Sequence, residues 1–301
     1  MKKVELLAPA KDKETAIAAI NCGADAVYIG ASDFGARRAV PNSLNDIKEV
    51  VEYAHKFYAK VHVTINTILT DNELIQAQTL IHKLYEAGVD AVIVQDMGIL
   101  KLAAEGKLPP IALHASTQCD NRTLEKVKFF ENLGVSRVIL ARETSLDLIK
   151  EICAKTTCEI ETFIHGALCV SYSGQCYLSY AIGGRSANRG ECAQPCRKKY
   201  SLIDDKGNIL AQDKHLLNLR DFNASGHIEE LINAGVKSFK IEGRLKDINY
   251  VKNVVAFYRK EIDKYAQKIS SGRIEYDFIP DLNKSFNRGF TDYFLEGRKK
   301  C

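Results

Sequence analysis

One short pattern recurs four times along this chain, and it constrains the fold more than any other feature. The copies are Cys22-Gly23-Ala24-Asp25-Ala26-Val27-Tyr28-Ile29, Ala87-Gly88-Val89-Asp90-Ala91-Val92-Ile93-Val94, Leu133-Gly134-Val135-Ser136-Arg137-Val138-Ile139-Leu140 and Ala234-Gly235-Val236-Lys237-Ser238-Phe239-Lys240-Ile241. Each follows a helix-like stretch. The glycine suits the left-handed position that ends a helix, and the apolar run after it suits a buried strand. Helix, glycine, short loop and buried strand form the joint of a parallel α/β fold. Four more strands are expected at Val4–Ala8, Lys60–Asn66, Ile111–Ala115 and Glu159–Ile164, which makes eight. Helices are expected at Lys13–Asn21, Leu44–Phe57, Asp71–Glu86, Leu124–Asn132 and Ser145–Ala154. The alternation predicts an α/β protein with a closed, TIM-barrel-like (β/α)8 fold. Leu7-Ala8-Pro9-Ala10-Lys11 follows the first strand where a dinucleotide-binding sheet would carry Gly-x-Gly-x-x-Gly.

The barrel domain spans residues 1–269, and residues 166–231 interrupt it between strands seven and eight. This insertion carries four cysteines, a basic stretch and an expected hairpin, Tyr200–Ile203 and Ile209–Leu210 around a turn at Asp204–Asn208. Long insertions in compact domains are usually functional, and this one leaves the C-terminal end of strand seven, the face where barrel enzymes build their sites. Lys246–Ile269 reads as the last helix. The polar tail from 270 to 301 ends at Lys299-Lys300-Cys301 with no closing element in view, and is expected to lead into a further domain or to end a shorter paralogue.

Nine cysteines, an odd number, make a poor disulfide framework, and Glu5 interrupts the place where a signal peptide needs an apolar run. No apolar run reaches 18 residues, so no membrane span is expected. A reduced, cytoplasmic setting follows, where clustered thiols mean metal or catalysis more often than bridges. Cys169, Cys176, Cys192 and Cys196 form such a cluster, spaced C-x6-C-x15-C-x3-C. Four thiolates suit a 4Fe-4S cluster or a zinc ion. The wide first gap and the basic, glycine-rich surround favour the cluster, with zinc as the alternative. The other cysteines lack this grouping and read as small buried hydrophobes.

The net charge is only +4, from 42 Lys and Arg against 38 Asp and Glu. Its distribution is more telling. Arg185, Arg189, Arg197, Lys198 and Lys199 face one carboxylate, Glu191, so this stretch alone holds an excess equal to that of the whole chain. These five are candidates for RNA phosphates, against the plainer reading of a solvated face.

The run Glu161-Thr162-Phe163-Ile164-His165-Gly166-Ala167-Leu168-Cys169, with Ser173-Gly174-Gln175-Cys176-Tyr177-Leu178-Ser179 after it, resembles the signature of the U32 peptidase family, also called collagenase-like. The resemblance continues through Gly183–Arg197, Lys240-Ile241-Glu242-Gly243-Arg244 and Phe286-Asn287-Arg288-Gly289-Phe290. It implies RNA or quinone-precursor hydroxylation more than proteolysis. The Arg185–Arg197 run is most similar to members that hydroxylate a cytidine of large-subunit ribosomal RNA; other members hydroxylate a tRNA uridine or serve ubiquinone synthesis as paired subunits. A four-cysteine 4Fe-4S cluster, prephenate as co-substrate and an iron–sulfur electron-transfer partner come with that resemblance. Its alternatives are a metal-dependent, collagenase-like peptidase, a tRNA uridine hydroxylase and a non-catalytic cluster-bearing subunit. Neither His-Glu-x-x-His nor Gly-x-Ser-x-Gly occurs, and the seven histidines form no ligand-spaced pair.

Polar residues that buried strands do not need stand at the strand ends: Asn66, Gln95, Asp96, His114, Arg142, Glu143, Glu161, His165, Lys240, Glu242 and Arg244. Together they are expected to ring the catalytic face. Glu161, His165 and Glu242 are the candidate catalytic groups. Arg142, Lys240 and Arg244 are the candidate substrate binders, the two guanidinium forks matching a dicarboxylate. Arg142, Glu161, His165, Glu242 and Arg244 are expected to surround a cavity beside the four cysteines.

Overall fold

All eight expected strands form in a computed structural model of the chain, which describes residues 2–35, 42–272 and 274–297. They are β1 (Glu5–Pro9), β2 (Ala26–Gly30), β3 (Lys60–Ile65), β4 (Ala91–Val94), β5 (Ala112–Ala115), β6 (Arg137–Ile139), β7 (Glu159–Gly166) and β8 (Ser238–Ile241). Each pairs in parallel with the next, and β8 closes the barrel by pairing with both β7 and β1. Burial on both faces explains why these strands read as continuous apolar runs rather than as alternation.

Among the described residues, eight helices surround them: α1 (Lys13–Asn21), α2 (Leu44–His55), α3 (Asp71–Glu86), α4 (Met97–Ala104), α5 (Leu124–Asn132), α6 (Leu146–Lys155), α7 (Ile228–Ala234) and α8 (Ile248–Ile262). Local chemistry starts several of them. Ser43 with Asp46 and Thr70 with Glu73 form reciprocal capping boxes, and the Asp96 and Asp247 carboxylates accept first-turn amides of α4 and α8.

The last helix is shorter than the expected Lys246–Ile269. It stops at Ile262, and Ala266–Gln267 pair in parallel with Lys2–Lys3. A buried carboxylate decides this. Asp25 accepts the backbone amides of Leu6, Ile269 and Ser270 and the Ser270 hydroxyl, and pairs with Arg259 at 2.8 Å. It captures the chain in an extended form where helical periodicity alone would continue the helix. The tail then returns along the molecule, and Phe290–Thr291 pair with Asp221–Asn223, which lie antiparallel to the end of β7. The terminal Lys299-Lys300-Cys301 lies outside the described residues. Among the described residues, no helix is long and apolar enough to cross a membrane.

Candidate active site at the barrel mouth

The insertion folds back over the C-terminal ends of the strands. The Ser173 amide donates to Glu143 after β6 (2.6 Å), and the Gln175 side chain donates to the Gln118 carbonyl after β5 (2.7 Å). Farther along, the Arg189 guanidinium donates to the Ile68 carbonyl (2.8 Å) and to Glu73 on α3 (2.5 Å). The insertion thus spans the mouth from β7 to the β3 side, carrying its four cysteines with it.

The four thiols share one neighbourhood. Burial pushes the Cys169 thiol above its ordinary range; the Ser171 amide and Arg142 pull it down, and Cys176 and Cys192 push it up again. Burial also raises Cys196, with Arg197 opposing and Cys169, Cys192 and Cys176 adding. Amides aim at the sulfurs: Leu178 N–H lies 3.4 Å from Cys176 Sγ, and Gln194 N–H lies 3.4 Å from Cys192 Sγ. The left-handed backbone of Gln194 (φ 54°) belongs to the turn that presents that amide. Four thiols brought together with backbone amides at two of them are a donor set that suits a polynuclear iron–sulfur group or a zinc ion.

Beside Cys169, Arg142 pairs with Glu242, and its guanidinium stacks 3.8 Å from the Phe163 ring centroid. Its Nε is buried with no hydrogen-bond partner. A buried orphan donor on a cation suits an anionic ligand. Gly166 makes this pairing possible: a Cβ there would lie 2.6 Å from the Glu242 carbonyl oxygen, and its φ is +111°. Arg244 stands across the mouth, buried, donating to the Thr64 hydroxyl and packed against Gly30. Beneath Phe163, Lys240 Nζ lies 4.4 Å from the Tyr28 ring centroid and 3.0 Å from Glu161.

Two of the expected catalytic groups are placed elsewhere. Glu161 is fully buried inside the barrel, held by Arg137 (3.1 Å) and Lys240 (3.0 Å). Burial pushes its carboxyl up, but Lys240 and Arg137 outweigh that and hold it below the usual range. It faces the lumen as the strand phase requires, a layer too deep to reach the mouth. Lys240 lies in the same interior network rather than at the rim. His165 departs for a different reason. The β7–β8 register slips between Lys240↔Phe163 and Ile241↔His165, and the extra residue reverses the side-chain phase. Its ring packs instead against Tyr258 and Tyr250 of α8 and against Phe290. Burial drops its pKa to about 3.

The remaining rim residues are mostly structural in their contacts. Asp96 caps α4 and also holds the Leu69 amide, Asn66 reaches Ser116, and Gln95 reaches the Gln118 carbonyl. His114 is buried in the lumen, edge-on to His62. The five cations divide. Arg185, Lys198 and Lys199 are exposed. Arg189 is tied to Glu73, and Arg197 donates to Asn218 and to the Leu168 (2.6 Å) and Leu219 (3.1 Å) carbonyls. Two surface cavities, of about 440 and 400 Å3, lie between α2 and α3 and at the start of α8. Neither is the expected cavity beside the cysteines. The interior network was missed from sequence, although Glu5 and Arg137, charges inside otherwise apolar strands, were its signal.

The sequence matches peptidase family U32 over residues 11–301. It is 54% identical to the Escherichia coli "23S rRNA 5-hydroxycytidine C2501 synthase", over 99% of this chain and 46% of that protein. The chain thus spans less than half of that relative's length. It is 38% identical to the Bacillus subtilis "tRNA hydroxylation protein P1", over 98% of this chain and 72% of that protein. The solved structure of the U32 peptidase Mk0906 shares the fold, with a TM-score of 0.51 at 14% identity, covering 81% of this chain and 93% of that one.

Proposed function

The chain belongs to peptidase family U32, and from that premise we propose that it is an RNA base hydroxylase whose substrate is a cytidine of 23S ribosomal RNA, acting in the cytoplasm. The 54% identity to the E. coli synthase carries this reading, because it spans barrel and insertion alike. Cys169, Cys176, Cys192 and Cys196 would hold a 4Fe-4S cluster, a choice supported by the four thiols sharing one neighbourhood and by the amides aimed at Cys176 and Cys192. When bound, such a cluster supplies electron transfer or an iron site for polarising substrate, and an iron–sulfur partner protein would exchange electrons with it.

The chain's own residues do the binding. Arg142 and Arg244 hold the carboxylates of an anionic co-substrate such as prephenate, and Glu242 keeps Arg142 oriented at the mouth until that ligand arrives. The Glu161–Lys240 pair lies beneath and fixes the charge balance under Phe163. Arg185, Lys198 and Lys199 contact RNA phosphates, while Arg189 and Arg197 hold the insertion in place.

The test is complementation of a bacterial strain lacking its own synthase, followed by mass spectrometry of nucleosides from purified rRNA and tRNA. Expected is 5-hydroxycytidine in 23S rRNA, lost in Cys192→Ser and in Arg142→Gln. Protein purified without oxygen should carry about four irons and four sulfides per chain. Hydroxyuridine in tRNA instead would shift the substrate toward that of the B. subtilis relative. Gelatin cleavage with no RNA product would favour the peptidase reading, and stoichiometric zinc would overturn the cluster.

A further inference from the structure

We propose that the cavity at the start of α8, beside Phe286, is a stacking site for an unpaired nucleotide of the RNA substrate; this rests on the RNA reading above. The cavity measures about 400 Å3, and its lining includes Asn249, Tyr250, Lys252, Phe278, Lys284 and Phe286. Phe286 is 64% exposed and presents its apolar ring to solvent. Two cations flank it: Lys246 Nζ lies 4.5 Å and the Arg288 guanidinium 4.9 Å from its centroid. Across the cavity, Lys252 Nζ lies 5.7 Å from the Phe278 centroid. Asp221 pairs with Arg288, and the Asp247 and Asp281 carboxylates are engaged as caps by the Tyr250 and Asn283 amides. The exposed aromatic face is thus flanked by the ammonium groups of Lys246, Lys252 and Lys284. That is the chemistry of single-strand nucleic-acid sites, where a base stacks on the ring and lysines take the phosphates on either side. The cavity also adjoins the mouth, since the Tyr250 hydroxyl donates to the Glu242 carbonyl (3.3 Å). A nucleotide held there would anchor the strand next to the base delivered to Arg142 and the cysteines.

Fluorescence anisotropy with a fluorescein-labelled, cytidine-rich single-stranded RNA, read over a salt series on the full chain, tests this. Phe286→Ala should weaken binding about tenfold with an unchanged salt slope. Phe286→Trp should restore it, and thermal unfolding should show both variants folded. Lys252→Glu and Lys284→Glu should each lower the salt slope, by about 0.7 for every phosphate no longer neutralised. A parallel arm uses CMP alone. If CMP binds in a Phe286-dependent way while RNA affinity ignores Phe286, the site serves a free nucleotide and the proposal is overturned. RNA binding that needs Arg185, Lys198 and Lys199 but not Phe286 overturns this site and leaves the RNA reading intact. No RNA binding by the parent chain overturns both.

Discussion

Glu5 and Arg137 stand 132 residues apart in sequence and meet inside the barrel. They sit on β1 and β6, which are not neighbours, so only the lumen can join them. Arg137 also holds Glu159 and Glu161, and Lys240 completes the balance. Taking away one partner leaves buried charge uncompensated, so Arg137→Met should cost about 3–5 kcal/mol in chemical unfolding. The buried titratable groups also set an acid limit. Burial pushes the Glu5 carboxyl up, but Arg137, helped by His62 and Lys60, more than offsets this and holds it down to about 2. Burial lowers His62 to about 4 and His165 to about 3. Each group binds protons more readily when unfolded. Stability is therefore full above the unfolded histidine range, near pH 6.5. It falls as pH drops toward the folded values, with the carboxylate share lost below about pH 4.5. His165→Phe should flatten the part of this decline between about pH 6.5 and 4, measured as thermal midpoint against pH; an unchanged slope would mean His165 is not buried neutral. The charged residues were legible in the sequence, but their partners were not, because nothing local links positions so far apart.

Elements were more legible than their endings. The helix–glycine–strand joint recurs because a left-handed glycine ends each helix and a run buried on both faces follows, and both are local signals. The slip that turns His165 away from the mouth is a property of β7 paired with β8, and neither strand alone contains it. Gly166 reads as a family-like glycine in sequence, but the structure supplies its reason. Gly166→Ala would place a methyl group against the Glu242 carbonyl at a backbone angle that alanine resists. It should destabilise the protein by about 1–3 kcal/mol and also part Arg142 from Glu242. The second effect should appear as loss of product in the complementation assay under conditions where the variant remains folded. Full activity from a stable Gly166→Ala protein would show that the close approach is dispensable.

The whole molecule is a barrel with its insertion folded across one end, and that arrangement redistributes the basic stretch. Five cations adjacent in sequence become three exposed ones and two fasteners. Reversing Arg185, Lys198 and Lys199 to Glu should weaken RNA binding and lower its salt slope while the thermal midpoint holds. Reversing Arg189 and Arg197 should lower the midpoint first, since Arg189 faces Glu73 and Arg197 bonds backbone carbonyls. Equal effects from both sets would dissolve the distinction. The closed barrel followed from the sequence, because periodicity and glycine joints act over short stretches of chain. Which acids and histidines reach the mouth, and which cations reach solvent, was decided only by tertiary structure. Barrel closure brings together strands distant in sequence, a one-residue slip reverses a side chain, and a folded-back insertion commits its arginines to partners the linear order does not show.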